Sequence, residues 1–135
     1  EHPETGFREE RTANLVQQWF DGLGLPHKDG LAITGVRADV TGASPGPRVA
    51  VMGELDSLIV PKHPFADPNT AFAHACGHHT QIGTMLAVAA ALADADVREA
   101  LRGNVALMAV PISPSSRGSA SKLFRALIGS SRPAP

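Results

Sequence analysis

Apolar residues recur along positions 8–23 with helical spacing. Thr12, Leu15, Val16, Trp19, Phe20 and Leu23 follow an i, i+3, i+4, i+7 pattern and make one stripe. Arg8, Glu9, Glu10, Arg11, Gln17 and Gln18 fall mostly on the wet side, which predicts a structural amphipathic helix over Arg8–Leu23. Gly22 and Gly24 supply the stop, and Pro26 forbids continuation. Leu31–Val40 mixes β-branched with small residues and predicts a strand. Thr41–Pro47 is dense in turn formers and predicts a surface loop. Arg48–Gly53 is a short apolar run, expected as a strand buried on both faces. Ser57–Ala75 has no periodicity and is broken by Pro61, Pro64 and Pro68, and a loop that long in a small domain is usually functional. Gly77–Asp94 predicts a second, alanine-rich helix with Ile82, Met85, Leu86, Ala89 and Ala93 turned inward. Val97–Leu101 adds a turn of helix, Gly103-Asn104 a break, and Val105–Val110 an all-apolar strand ending at Pro111. Helix, strand, strand, helix, strand predicts a layered α/β core.

The pattern changes after Pro111. Residues 112–135 carry no acidic side chain, four basic ones (Arg117, Lys122, Arg125, Arg132) and many serines. One short helix is expected there, with Ala120, Leu123, Phe124, Leu127 and Ile128 on one face, in an otherwise poorly ordered Ser/Arg/Pro-rich tail. The chain therefore divides into a domain portion, 1–111, and a tail, 112–135.

Over all 135 residues the formal charge is −1, which gives no bulk electrostatic case for nucleic acid or an anionic membrane as partner. Cys76 is the only cysteine, so no intrachain disulfide forms, and a reducing, cytoplasmic setting is the expectation. The most apolar stretch, Ile82–Ala93, is too short to span a bilayer, and no signal-peptide pattern is present.

Candidate chemistry concentrates in His74-Ala75-Cys76-Gly77-His78-His79, directly before the second helix. Thiolate and imidazole are ligands for zinc and its neighbours, and imidazole also suits manganese or nickel. In an extended segment Cys76 and His78 point to one side, and Gly77 between them lets the backbone turn around an ion. Glu54 and Asp56 stand at the carboxyl end of the Arg48–Gly53 strand, where open α/β sheets place their ligand crevice. One of them is placed to coordinate a metal or to hold a ligand histidine by its other ring nitrogen. From the residues alone, metal binding competes with two simpler readings: an inert cysteine beside helix-start histidines, and ordinary surface acids at a strand end.

His2-Pro3-Glu4-Thr5-Gly6-Phe7 with Glu10-Arg11-Thr12, then Gly53-Glu54-Leu55-Asp56-Ser57-Leu58, then His74-Ala75-Cys76-Gly77-His78 occur in that order. Together they resemble the metal-dependent amidohydrolases of the aminoacylase and carboxypeptidase superfamily. The nearest branch is that of hippurate hydrolase, N-acyl-amino-acid amidohydrolase, auxin-conjugate hydrolase and aminobenzoyl-glutamate hydrolase. The resemblance covers residues 1 to about 111, the amino-terminal part of such a catalytic domain. It implies a partial three-layer α/β/α sandwich of the zinc-aminopeptidase-like type, with a mixed sheet flanked by the two helices and without the lid or dimerisation domain. It implies Cys76 and His78 as ligands of a paired divalent metal site (manganese, zinc, nickel or cobalt) and Asp56 as the acid that orients or tunes it. It also implies hydrolysis of an N-acyl amino acid or small peptide by metal-activated water.

Two departures stand out. His79 replaces the more frequent Asp or Asn of the family. Where the family has a Glu-Glu pair after a strand like Val105–Pro111, one glutamate the general base and the other a ligand, this chain reads Ile112-Ser113-Pro114 with no later glutamate. That break suggests a tail read in a shifted frame or newly joined, and a chain inactive by itself. The alternatives are a non-catalytic metal-binding fragment that self-associates through exposed sheet edges into a homo-oligomer, and a thiol nucleophile at Cys76 with His78 or His79 as base.

Overall fold

A computed structural model of the chain describes residues 2–111. The tail 112–135, with the short helix expected at 120–128, lies outside the described residues.

The first helix, α1 (Glu10–Gly22), starts where a side chain from outside the helix satisfies its free amides. Glu4 accepts from Arg11 N (3.0 Å), Thr12 N (2.8 Å) and Thr12 Oγ1 (2.6 Å). The buried face is Glu9, Ala13, Val16 and Phe20, whereas Leu15 and Trp19 are 52% and 49% exposed. The stripe read from the sequence is thus only half right. The helix is rolled so that one narrow line meets the sheet, which buries Glu9 and leaves the other apolar line outside.

Where one strand is expected over Leu31–Val40, the chain makes a hairpin of β1 (His27–Leu31) and β2 (Gly35–Thr41). Its turn places Ala32 and Ile33 at φ 52° and 92°, conformations usually signalled by Gly or Asn, so nothing in the local composition marks it. The expected loop 41–47 shrinks to a turn at Gly42-Ala43, and β3 runs over Ser44–Glu54. A small two-stranded excursion, β4 (Leu58–Ile59) against β5 (Phe72–Ala73), orders the proline-broken segment. Within it Asp67 Oδ1 accepts from Asn69 N, Thr70 N and Thr70 Oγ1. Then come α2 (His78–Ala93), α3 (Ala95–Ala100) and β6 (Arg102–Val110). Asp94 stops α2 and caps α3, accepting from Asp96 N and Val97 N.

The main sheet has the order β1-β2-β6-β3. β2 runs antiparallel and β3 parallel to β6, so the sheet is mixed and the class is α/β. Central β6 is buried from Val105 to Val110. Among the described residues β3 is an edge strand: Val49 is 51% and Met52 44% exposed, against the expectation of burial on both faces. An apolar run reads the same whether one or two neighbours are present. Pro45 and Pro47 are tolerated because an edge demands fewer ladder bonds.

Alternation along the strands separates the two faces. Val36, Ala38 and Val40 with Val105, Leu107 and Ala109 form one core with Phe20 and Val16 of α1 and Ile82, Met85, Ala89 and Leu92 of α2. Leu92 takes an inward position that the sequence assigns to Ala93, which is half-buried. Both helices therefore cover one face, and the described residues form two of the three expected layers. Ala106, Met108 and Val110 cluster on the other face, against Leu31. No helix among the described residues is long and apolar enough to cross a membrane.

Gly103 belongs to β6 rather than to a break before it. At φ +90° its backbone meets that of β3 so closely that an added Cβ would lie 2.0 Å from Pro47 O. Gly103→Ala is expected to cost about 2 kcal/mol or more through strain and displacement of β3. A urea midpoint equal to that of the parent chain would contradict this packing.

Candidate metal centre

Three of the residues singled out in the sequence, Glu54, Asp56 and His78, meet where β3 ends and α2 begins. Gly53 permits the approach, since a Cβ there would lie 2.9 Å from Ile82 N. Leu55 N donates to Val110 O at 3.0 Å, continuing the ladder past Glu54, while Glu54 N donates to Gln81 Oε1 at 3.2 Å. Ser57 donates twice to Glu4 O, from N and from Oγ, each at 2.7 Å. Glu4 thus caps α1 with its carboxylate and fixes the Asp56–Ser57 turn with its carbonyl.

His78 opens α2. Gly77 before it sits at φ 89°, ψ 4°, so the Cys76–His78 segment turns sharply instead of running extended. The extended segment from which alternation was expected is therefore not formed at Gly77, while the tight turn expected there is present. His78 lies between two carboxylates: Nδ1 is 2.8 Å from Asp56 Oδ1 and Nε2 is 2.5 Å from Glu54 Oε2. With acceptors on both ring nitrogens, the imidazole donates from both only as imidazolium, or keeps the Nδ1 proton and offers Nε2 to a cation. Neither nitrogen is left to serve the thiol as a base, which argues against His78 in the nucleophile reading. Cys76 is exposed on the loop. No three His, Cys, Asp or Glu side chains among the described residues converge on one point that would hold a metal ion.

Asp56 is 1% exposed. Burial pushes its carboxyl up from the ordinary range, opposed by the charge and hydrogen bond of His78. Further inside lies Glu9, fully buried, whose Oε2 accepts from Thr34 Oγ1 at 2.6 Å while Oε1 has no hydrogen-bond partner. Burial raises the Glu9 carboxyl above 4.5, the Thr34 hydrogen bond opposes the rise, and the Asp56 charge adds to it. Between pH 4.5 and the higher folded value, the native chain keeps a proton that the unfolded chain has released, so stability falls as pH rises through that window. Glu9→Gln is expected to flatten this fall, measured by urea unfolding at mildly acidic and neutral pH. An unchanged slope would contradict it.

A cleft of about 800 Å3 opens beside Glu54, between the amino-terminal segment, α1 and the start of α2. Arg11, Leu15, His74, His79 and Ile82 contribute to its wall. His74 and His79 face each other with ring centroids 5.2 Å apart, and burial lowers the pKa of His74. Sequence reasoning missed the structural work of Glu4, Glu9, Thr34 and Gln81. Glu4 stood in a quoted motif without a role, and the contacts of Glu9 and Gln81 span 25 and 27 positions, beyond any local pattern.

No family model matches the chain. The chain is 31% identical over 107 residues to the N-acyl-L-amino acid amidohydrolase of Geobacillus stearothermophilus, covering 77% of this chain and 28% of that protein. It is 32% identical over 123 residues to an IAA-amino acid hydrolase of Arabidopsis thaliana, covering 87% and 27% respectively. The fold superposes with TM-score 0.78 on the YXEP protein of Bacillus subtilis, a dinuclear metal binding peptidase from the M20 family. There the identity is 28%, with 95% of this chain and 36% of that chain covered. The chain thus spans about a quarter to a third of the length of the curated relatives it matches.

Proposed function

This chain belongs to the metal-dependent amidohydrolases of the aminoacylase and carboxypeptidase superfamily, and from that premise we propose that residues 1–111 supply part of a catalytic domain. Its substrates are N-acyl or aryl-acyl amino acids, or small peptides, cleaved at the amide bond. The observation that carries the reading is the setting of His78, with Nδ1 tied to buried Asp56 and Nε2 turned to Glu54. A ligating imidazole is typically anchored in this way through its second nitrogen.

The donor set of thiol, imidazole and carboxylate fits a divalent ion such as manganese, zinc, nickel or cobalt. Cys76 and His78 are the residues to hold it, as one of two ions in the complete centre. When bound, such an ion supplies a Lewis acid and a water acidified toward neutral pH. Asp56 keeps the His78 proton on Nδ1 and so presents Nε2 as a lone pair. Glu54 lies against Nε2 and accepts a hydrogen bond from it whenever that nitrogen carries a proton. In the cleft, Arg11 offers positive charge and His79 a ring N–H to the substrate carboxylate, and Leu15 and Ile82 offer apolar wall to the acyl group. The lone thiol suits a cytoplasmic setting.

Residues 112–135 contain no glutamate, so no residue there matches the family's general base. A second reading for the 135-residue chain alone is metal binding without turnover, favoured by the absence of any glutamate from residues 112–135. Two measurements test the proposal. Elemental analysis should find a divalent metal in the parent chain and its loss in Cys76→Ser and His78→Ala. A chimera of residues 1–110 with the remaining length of the Geobacillus amidohydrolase should hydrolyse N-acyl amino acids, sensitive to chelator and abolished by His78→Ala. Metal content unchanged in both variants would refute the ligand assignment, and a folded, metal-loaded, inert chimera would refute the activity.

A further inference from the structure

Glu9 stands at the N-cap of α1, where an acidic or hydroxyl side chain commonly caps the helix, yet it makes no cap hydrogen bond. Glu4 does that work instead, accepting from Arg11 N and Thr12 N. The Glu9 side chain turns inward and is fully buried. It reaches the β1–β2 turn, where buried Thr34 donates its hydroxyl to Oε2 at 2.6 Å. Oε1 has no hydrogen-bond partner, and among the described residues Glu9 stands in no ion pair. A buried carboxylate is costly unless donors or cations surround both of its oxygens, and the neutral acid is far cheaper. Any further segment packed on the domain can only deepen this burial.

The groups that face this carboxyl come from separate elements. Its own segment offers the amides of Phe7 and Glu9, the hairpin offers the Thr34 hydroxyl, and the turn after β3 offers the charge of Asp56. Asp56 is buried too, but it lies 2.8 Å from the His78 imidazole, whereas Glu9 faces no base. Of the two acids, Glu9 is therefore the one to hold its proton longer as pH rises. We propose that Glu9 is a positioning residue of the metal centre, a neutral acid behind Asp56 whose ionised form is favoured by a cation held at His78. The line of action runs from Glu9 through Asp56 to His78, and charge added at one end is felt at the other across a buried region of low dielectric. By reciprocity, ionisation of Glu9 strengthens cation binding by the same factor as the cation favours ionisation. The coupling to a cation rests on the reading of His78 as a ligand. The state of Glu9 beside Asp56 does not.

The test follows the Glu9 side-chain carboxyl by carbon-13 NMR during a pH titration of the full 135-residue chain, its signal confirmed by loss in Glu9→Gln. In the metal-free parent chain the midpoint is expected above the ordinary glutamate range. Asp56→Asn, which removes the neighbouring charge, should lower that midpoint by about half a pH unit or more, and Thr34→Val, which removes the hydroxyl donor, should raise it. Zinc alone, added to saturation, should lower it by a similar amount. Between mildly acidic and neutral pH, zinc affinity read by titration calorimetry should then gain about threefold more in the parent chain than in Glu9→Gln. A merely structural role would change affinity by one factor at every pH. Circular dichroism checks folding, and the Asp56→Asn and zinc titrations stand without Glu9→Gln if that variant fails to fold. A parent midpoint in the ordinary range would overturn the proposal, as would a raised midpoint that Asp56→Asn leaves in place. A chain that binds no zinc would refute His78 as a ligand, whereas bound zinc with the Glu9 midpoint unmoved would refute the coupling alone.

Discussion

Replacing Asp56 by alanine is expected to weaken binding of zinc or manganese by about 10–100-fold, the usual cost of losing the group that orients a ligating histidine. Asp56 is 1% exposed and lies 2.8 Å from His78 Nδ1, so its removal leaves that nitrogen without its carboxylate acceptor. The ring is then free to place its proton on Nε2, the nitrogen needed for the cation, and to rotate away from it. Asp56→Asn retains an acceptor but not the charge and should fall between the two. Isothermal titration with the metal alone reads the effect, with circular dichroism as a check on folding. Affinity within about twofold of the parent in a folded Asp56→Ala chain would mean that the Asp56–His78 contact is not what presents the imidazole.

The second large effect concerns α1. Phe20 is fully buried beside Val16, Leu25 and Met85 in the core shared by both helices, so Phe20→Ala should cost about 3–5 kcal/mol. Trp19 is the larger side chain but is 49% exposed, and Trp19→Ala should cost about 1 kcal/mol or less. Urea unfolding of the two variants separates them, and against a typical total of about 5–15 kcal/mol the first loss is severe. The reverse ranking would show α1 seated on the face that its hydrophobic pattern suggests rather than on the Glu9–Phe20 line.

These cases show how far the sequence reaches. The two long helices, the strand at β6 and the α/β class are legible because period and length suffice for them. The Leu31–Val40 segment misleads because its turn uses Ala32 and Ile33, side chains that carry no turn signal. The exposure of β3 is hidden because an apolar run does not report its number of neighbours. At the centre, Glu54, Asp56 and His78 were legible as a set through residue chemistry and strand-end position, and the structure brings all three together. Cys76 was expected beside His78 on an alternating strand, whereas Gly77 at φ 89° breaks that alternation. Glu4, Glu9 and Gln81 escaped notice because each acts across a fold that local spacing does not encode.

The most direct test loads the purified chain with cobalt(II) in place of its native ion and records the absorption spectrum beside those of Cys76→Ser and His78→Ala. Sulfur and imidazole on one shared ion should give an intense thiolate-to-cobalt charge-transfer band in the parent chain. Cys76→Ser should lose that band, and His78→Ala should bind cobalt more weakly with altered ligand-field bands. The same spectrum in the parent and Cys76→Ser chains would mean that the sulfur never reaches the metal, and the centre assigned to this chain would not exist.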